Sequence, residues 1–314
     1  MPTDIQSMLD SAGVQAARIE WLWWLMFWAC TAVFVLVVGA VVLAVRRGRS
    51  ADEARPSERT LFAGVAAATG LTIVILFGLL FASVAIGRAI GTPEQPHALT
   101  IDITGHQWWW QVDYLHPQPS LRITTANELH LPVGRPVTLL LRSTDVIHSF
   151  WVPNLHGKMD LVPGRLNTTW FRADRPGVFR GQCAEFCGVQ HAHMALTVIV
   201  ESPDDFERWV AGQRTPAPPP TTPEQSRGLD IIERGPCALC HTIRGTQAGA
   251  RLGPDLTHFA SRSTIGAGTA PNTRGYLAGW IADPQHLKPG NRMPPTGLSG
   301  DELQAVLAYL ETLR

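Results

Sequence analysis

Lysine is almost absent from this 314-residue sequence: Lys158 and Lys288 are the only two, and arginine supplies the rest of the 26 basic residues. Twenty-six acidic residues cancel them, so the formal charge is zero and no basic excess marks a nucleic-acid binder. Cysteine is scarce too. Its five copies fall into Cys183/Cys187, Cys237/Cys240 and a lone Cys30, which sits in an apolar run and reads as a small buried hydrophobe. A secretory signal is not expected: residues 1–20 carry Asp4, Asp10 and Glu20 against Arg18, and the apolar run that follows is too long. The length leaves room for two or more domains at about 100–200 residues each.

Charge vanishes from two stretches. Trp21 to Val45 (WLWWLMFWACTAVFVLVVGAVVLAV) would form a helix of roughly 37 Å, enough to cross a hydrocarbon core of about 30 Å. Thr60 to Gly87 is likewise uncharged and rich in small residues suited to close helix packing. Between them, Arg46, Arg47, Arg49, Arg55 and Arg59 place the loop in the cytoplasm by the positive-inside rule. Both termini, and everything after about Gly91, are then expected on the outer side. Trp21, Trp23, Trp24 and Trp28 fit an interfacial aromatic belt, and Glu58 reads as a solvated loop charge.

Beyond Pro93 come short β-rich runs, among them ALTIDITGHQWWWQVDYL, PVTLLLRSTDVIHSFWV, GVFRGQC and MALTVIVE, which suggest a sandwich or barrel. Ser202 as N-cap and Pro203 at the first helical position predict a short closing helix. A proline-rich tract, QRTPAPPPTTPE, reads as an extended linker. The expected organisation is a two-span hairpin over 1–92, a β domain over 93–212, a linker over 213–223 and a further domain over 224–314. The chain ends in an amphipathic stretch, SGDELQAVLAYLETL, that reads as a helix.

The β domain carries CAEFCGVQHAHM, five possible metal ligands within residues 183–194. Cys183, Cys187, His191 and an upstream His148 could hold zinc. Zinc would leave Met194 without a purpose, since a thioether is a soft ligand better matched to copper. A mononuclear blue-copper site has one thiolate fewer. Two thiolates can instead bridge two coppers, a site for electron transfer.

In the C-terminal domain, Cys237-Ala-Leu-Cys-His241 is the c-type haem attachment pattern. Cys237 and Cys240 would hold the porphyrin covalently and His241 would bind its iron. Met293, in NRMPP, is the expected second axial ligand, with His258 and His286 as competitors.

CxExCxxxHxxM, with DVIHSFWVP and GHQWWW upstream, resembles subunit II of the haem–copper cytochrome c oxidases, whose soluble domain is a cupredoxin-like antiparallel β-sandwich. The resemblance implies that His148, Cys183, Cys187, His191 and Met194 form the dinuclear copper centre CuA. It gives Glu185 a backbone-carbonyl contact to copper, and a side-chain contact to magnesium shared with subunit I. It makes His193 a bystander and Trp108 the aromatic near the surface where electrons enter. Lys158, Asp160 and Arg165, in KMDLVPGR, would face subunit I.

GPDL after the haem motif resembles the segment whose proline packs by the proximal histidine of class I cytochromes c, an all-α fold. The fusion as a whole resembles subunit II of caa3-type oxidases, and THFASRSTIGAGTAPNT is similar to a segment common among them. The implied setting is a bacterial inner membrane, with subunit I, subunit III and an upstream donor such as cytochrome c as partners. A quinol oxidase subunit lacks these copper ligands, and nitrous oxide reductase needs a further histidine-rich copper cluster. A CuA-containing nitric oxide reductase is the alternative.

Residues 93–213 carry 9 basic and 12 acidic groups, and residues 214–314 carry 10 and 8. Without strong opposite charges to steer the domains together, the linker is expected to act as a tether on which the haem domain visits the copper domain without permanent docking.

Overall fold

The computed structural model describes residues 6–48, 57–91 and 99–314. Arg49, Arg55 and the boundary between hairpin and β domain lie outside the described residues. Contacts divide the chain into two units, Ala17–Pro93 and Met1–Ala16 with Glu94–Arg314.

In the first unit, helices α1 (Val14–Arg47) and α2 (Glu58–Gly91) are each 34 residues long. At 1.5 Å per residue each extends about 51 Å. Both are long and apolar enough to cross a membrane. Their apolar side chains point outward: Phe34, Leu36 and Phe81 are largely exposed. So is Cys30, against expectation, because a helix made to face lipid has no reason to hide its small apolar residues.

The second unit begins as a two-sheet sandwich. One sheet runs β3 (Ile123–Ala126), β2 (Trp109–Tyr114), β1 (Leu99–His106), β5 (Val137–Ser143), β8 (Asn167–Phe171). The other runs β4 (Glu128–Pro132), β10 (Ala195–Glu201), β9 (Gly177–Cys183), β6 (His148–Trp151), β7 (Met159–Leu161). Each sheet is antiparallel except for one parallel pair, β1 with β5 and β10 with β4. Alternation sets the core: Ile101, Ile103, Val112, Leu139 and Leu141 point inward against Phe150, Phe179 and Val198.

GHQWWW is not one strand. His106 pairs with Trp109, so Gln107 and Trp108 form the two-residue turn between β1 and β2. The run of aromatic residues conceals that reversal.

Helix α3 (Pro203–Gln213) starts as expected, with Ser202 Oγ accepting from Asp205 N–H and Pro203 at its first position. The helical region follows: α4 (Pro223–Arg234), α5 (Arg274–Ala282), α6 (Pro284–Leu287) and α7 (Gly300–Leu310). Capping boxes start two of these helices, Thr222 with Gln225 on α4 and Ser299 with Glu302 on α7. Helices α4 and α7 pack together over a core of Ile232, Val306, Leu307 and Leu310. Between α4 and α5, THFASRSTIGAGTAPNT folds into a small hairpin, β11 (Thr264–Ile265) with β12 (Ala270–Pro271).

Where a free tether was expected, the structure shows the linker and the haem domain in contact. His258 Nε2 lies 3.2 Å from Thr215 O and Ala217 N–H donates to Arg244 O, so the linker lies along the haem domain. Arg214 Nε, at the linker's start, donates to Leu121 O of the sandwich. The β11–β12 hairpin and the loop after α6 bond directly to the sandwich. Charge counting could not reveal this, because the contacts are mostly short-range hydrogen bonds to backbone.

Candidate metal centre

The loop between β9 and β10 carries the ligand candidates. Cys183 ends β9, and its N–H donates to the Met194 carbonyl at 2.9 Å, closing the loop where β10 begins. A short 3₁₀ turn, His191–His193, returns the chain. Phe150 of β6 pairs with Cys183, which brings His148 from the same strand to the loop.

Five side chains converge. Cys183 Sγ lies 3.7 Å from Cys187 Sγ and 3.9 Å from His148 Nδ1. Cys187 Sγ lies 3.6 Å from His191 Nδ1 and 3.9 Å from Met194 Sδ. The Glu185 carbonyl is 3.2 Å from Cys183 Sγ. Ligands bound to a metal at about 2.0–2.3 Å sit roughly 3.3–3.8 Å apart in tetrahedral geometry, so the spacing fits metal. Met194 is 0% exposed and aimed into the cluster, which favours copper over a closed zinc site. His148, Cys183 and Cys187, all buried, offer ligand atoms within 4.8 Å of one another, close enough to hold a metal ion.

The electrostatics agree. His148 Nε2 is 2.8 Å from Asp145 Oδ1, and an ionised carboxylate only accepts, so Nε2 carries the proton and Nδ1 offers its lone pair. Burial works to raise Asp145 and is outweighed by His148 and by the N–H groups of Gln107 and Val146, which hold it below its ordinary value. Burial likewise works against charged His148, but Cys183 and Asp145 prevail and raise it. Cys187 pulls the Cys183 thiol well below its usual range, whereas Cys183 and then burial push Cys187 up, so one proton leaves the pair readily and the second is held. A bound metal removes the second as well.

Trp108 is 9% exposed, more deeply buried than expected of a surface aromatic. Its Nε1–H donates to the Cys187 carbonyl at 2.9 Å, and Gln107 Nε2 donates to the same oxygen at 2.9 Å. Gly105 leaves room for the His148 ring: a Cβ there would stand 2.8 Å from Cδ2. His193 is turned away, its Nδ1 2.8 Å from Gln190 Oε1. The Glu185 carboxylate also points outward, 3.4 Å from Lys158 Nζ. Asp160 sits on β7, the edge strand, and Arg165 is exposed in the turn after it.

In the helical region, Cys237, Cys240 and His241 share one turn, with His241 N–H donating to the Cys237 carbonyl at 2.9 Å. His241 Nδ1 lies 2.7 Å from the Pro254 carbonyl, so Nδ1 carries the proton and Nε2 is free for iron. Burial pushes His241 below its ordinary value, which keeps it neutral. At Gly253 a Cβ would stand 2.7 Å from the His241 ring. Leu239 and Leu252, 70% and 77% exposed, offer apolar surface that a porphyrin would cover. The residues therefore fit haem. Met293 lies on a loop pinned by Asn291, whose Oδ1 accepts its N–H, and by Gln285, whose Nε2 donates to its carbonyl. Both ring nitrogens of His258 face carbonyls, those of Arg314 and Thr215, and His286 is exposed.

Lys288 was not singled out from sequence. It is 2% exposed, and its Nζ donates to the carbonyls of Trp108, His193 and Gly266 at 2.8, 2.7 and 2.7 Å. Burial pushes it down to about 7, with Cys187 opposing. Each of the three carbonyls accepts one N–H, and that match favours the ammonium form. Its rarity in the composition was the only available signal.

Residues 115–202 match the family "Cytochrome C oxidase subunit II, periplasmic domain", and residues 226–314 match "Cytochrome c". The first implies copper and the second haem. Cytochrome c oxidase subunit 2 of Alkalihalophilus pseudofirmus is 34% identical over 98% of this chain and 90% of its own length. The protein of the same name from Bacillus subtilis is 29% identical over 69% of this chain and 63% of its own. Among solved structures, the periplasmic domain of subunit II of cytochrome oxidase from Bradyrhizobium japonicum is 34% identical with a TM-score of 0.36, covering 38% of this chain and 96% of that one. This chain belongs to the cytochrome c oxidase subunit II family, in a form that carries its own cytochrome c domain.

Proposed function

We propose that this chain is the subunit through which electrons enter a membrane-bound cytochrome c oxidase. When bound, haem c and a dinuclear CuA centre supply two one-electron relays leading toward haem in subunit I, where oxygen is reduced to water. The observation that carries this reading is the pair of buried thiols 3.7 Å apart with two imidazoles and a thioether around them.

Cys183, Cys187, His148, His191, Met194 and the Glu185 carbonyl would hold the coppers, which would supply a one-electron relay there. Asp145 orients His148 through Nε2. Trp108 receives electrons, supported by its bond to the Cys187 carbonyl. Cys237 and Cys240 would hold the haem, with His241 and Met293 as the residues that would bind its iron. The Glu185 carboxylate, exposed beside Lys158, would hold magnesium at a contact with subunit I that Lys158, Asp160 and Arg165 would line. The arginine-rich loop between α1 and α2 faces the cytoplasm, and the copper and haem domains face the periplasm of a bacterial inner membrane. Subunit III and an external cytochrome c are the remaining partners.

The names of the relatives support oxygen, and not nitric oxide, as the acceptor. Metal analysis with electron paramagnetic resonance is the test. Two coppers per chain with a mixed-valence signal are expected, and one zinc without copper would end this reading.

A further inference from the structure

The loop that carries Met293 also carries Lys288, and it is bonded across the domain boundary throughout. Gln190 Nε2 donates to the Pro289 carbonyl at 2.6 Å, and Arg292 reaches Gln107 Oε1 at 3.0 Å and Asp145 Oδ2 at 3.3 Å. Nearby, Ser263 donates through N–H and Oγ to Glu128 Oε1, and Ala195 N–H donates to the Ala267 carbonyl at 3.0 Å. At the centre is the Lys288 ammonium. Its acceptors join three segments: the turn holding Trp108, the ligand loop at His193, and the β11–β12 hairpin at Gly266.

A buried cation with no carboxylate partner is costly unless each of its donors is satisfied. Those donors are satisfied only while the two domains are together. Swinging away would strip the Trp108 and His193 carbonyls of the copper domain of their donor and leave Lys288 with Gly266 alone. The geometry therefore ties three things to one atom: the position of the Met293 loop, the Trp108 carbonyl, and the ligand loop beside Met194.

We propose that Lys288 is a positioning residue that locks the haem-bearing domain onto the copper domain at Trp108, so that electrons cross a fixed contact and not one formed by search on a tether. This rests on the electron-transfer reading above for its purpose, though the docking itself does not depend on bound metal.

The two lysines supply a test without mutation. In the full-length chain, brief treatment with an amine-acetylating reagent is followed site by site by peptide mass spectrometry, each rate normalised to that in denaturant. With the chain freed of subunit I, the Lys158 side chain, 53% exposed, should react at nearly its denatured rate, and Lys288 at least ~100-fold more slowly. Equal normalised rates would overturn the proposal. In the second arm, flash-induced transfer between haem and copper is measured against viscosity in wild type, Lys288→Met and Lys288→Arg. Wild-type transfer should be independent of viscosity. Lys288→Met, with unchanged copper and haem spectra, should be at least ~10-fold slower and viscosity-dependent, with partial rescue by Lys288→Arg. Wild-type speed in Lys288→Met, or a viscosity-limited wild type, would overturn it. If Lys288→Met fails to assemble, the labelling of the wild-type chain decides. If the chain proves to hold no copper or haem, the functional reading falls and the labelling still reports the lock.

Discussion

The N–H of Cys183 donates to the carbonyl of Met194 at 2.9 Å, so the first and last residues of the ligand loop are joined by backbone before any metal is considered. That bond extends the β9–β10 ladder by one step beyond the Ala195–Gln182 pair. The sheet thus fixes the width of the loop, and the loop fixes the distance between the sulfurs.

Removal of either thiol should therefore act on the metal and not on the fold. Cys183→Ser and Cys187→Ser are each expected to abolish the mixed-valence resonance signal and leave the β-sheet circular dichroism unchanged. Met194→Leu, which removes only a weak soft ligand, should keep two coppers and alter the spectrum.

Asp145→Asn tests the orientation of His148. Losing a carboxylate that fixes a ligating imidazole typically lowers metal affinity by about 10- to 100-fold. The pH dependence has a definite sign. Because Asp145 is held below its ordinary 3.8 in the folded protein, its contribution is complete above that value and is lost as pH falls through the lower folded one. Asp145 also helps raise His148, so the proton that competes with copper is held more firmly in wild type. The wild-type advantage over Asp145→Asn should thus be full above the raised His148 value, narrow as pH falls through it, and be lost altogether only below 3.8. Competition titrations with a chelator would read both.

Gly105→Ala places a methyl 2.8 Å from Cδ2 and 3.0 Å from Cγ of His148. Forcing that ring aside should destabilise the domain by about 1–3 kcal/mol and weaken copper binding with it. Thermal unfolding with and without copper separates the two effects.

The sequence exposed what is local. Cys183 to Met194 lie on one loop, and Cys237 to His241 on one turn, so their spacing alone writes the chemistry. His148 arrives through strand pairing; the sequence offered it as an upstream candidate, and the family resemblance gave it a place in a copper centre. The turn at Gln107 and Trp108 was hidden because three consecutive tryptophans look like a strand from either side of the reversal. THFASRSTIGAGTAPNT could be seen as similar to other fusions without its use being visible. Its hairpin bonds through Ala267 and Gly266, backbone groups that carry no side-chain signature. Lys288 meets Trp108 across 180 positions, a pairing that no local pattern encodes.

Met293→Ala should leave haem attached through Cys237 and Cys240, lower its potential and change the iron spectrum, because thioether ligation raises the potential. His258 is not free to replace it, since its ring nitrogens are occupied by the carbonyls of Arg314 and Thr215. Redox titration with absorbance at the haem bands is the measurement, and an unchanged potential would point to His286.

Glu128 offers a measure of the domain contact away from both metal centres. Its carboxylate is 6% exposed and accepts from both the N–H and the Oγ of Ser263, at 2.7 and 2.8 Å. Beside it Arg262 is buried, and burial lowers its guanidinium against the opposing charges of Glu128 and Asp255. Glu128→Ala leaves the Ser263 donors unmet and a buried cation short of one partner, a loss of about 1–3 kcal/mol in holding the domains together. That corresponds to roughly a 5- to 150-fold larger open population. Where opening is fast relative to cleavage, proteolysis follows that population. Trypsin cutting after Arg214, whose Nε bonds the Leu121 carbonyl across the same boundary, should accelerate by such a factor. Glu128→Gln retains an acceptor oxygen without the charge and should fall between. Equal cleavage of Glu128→Ala and wild type would mean that this contact does not hold the domains together.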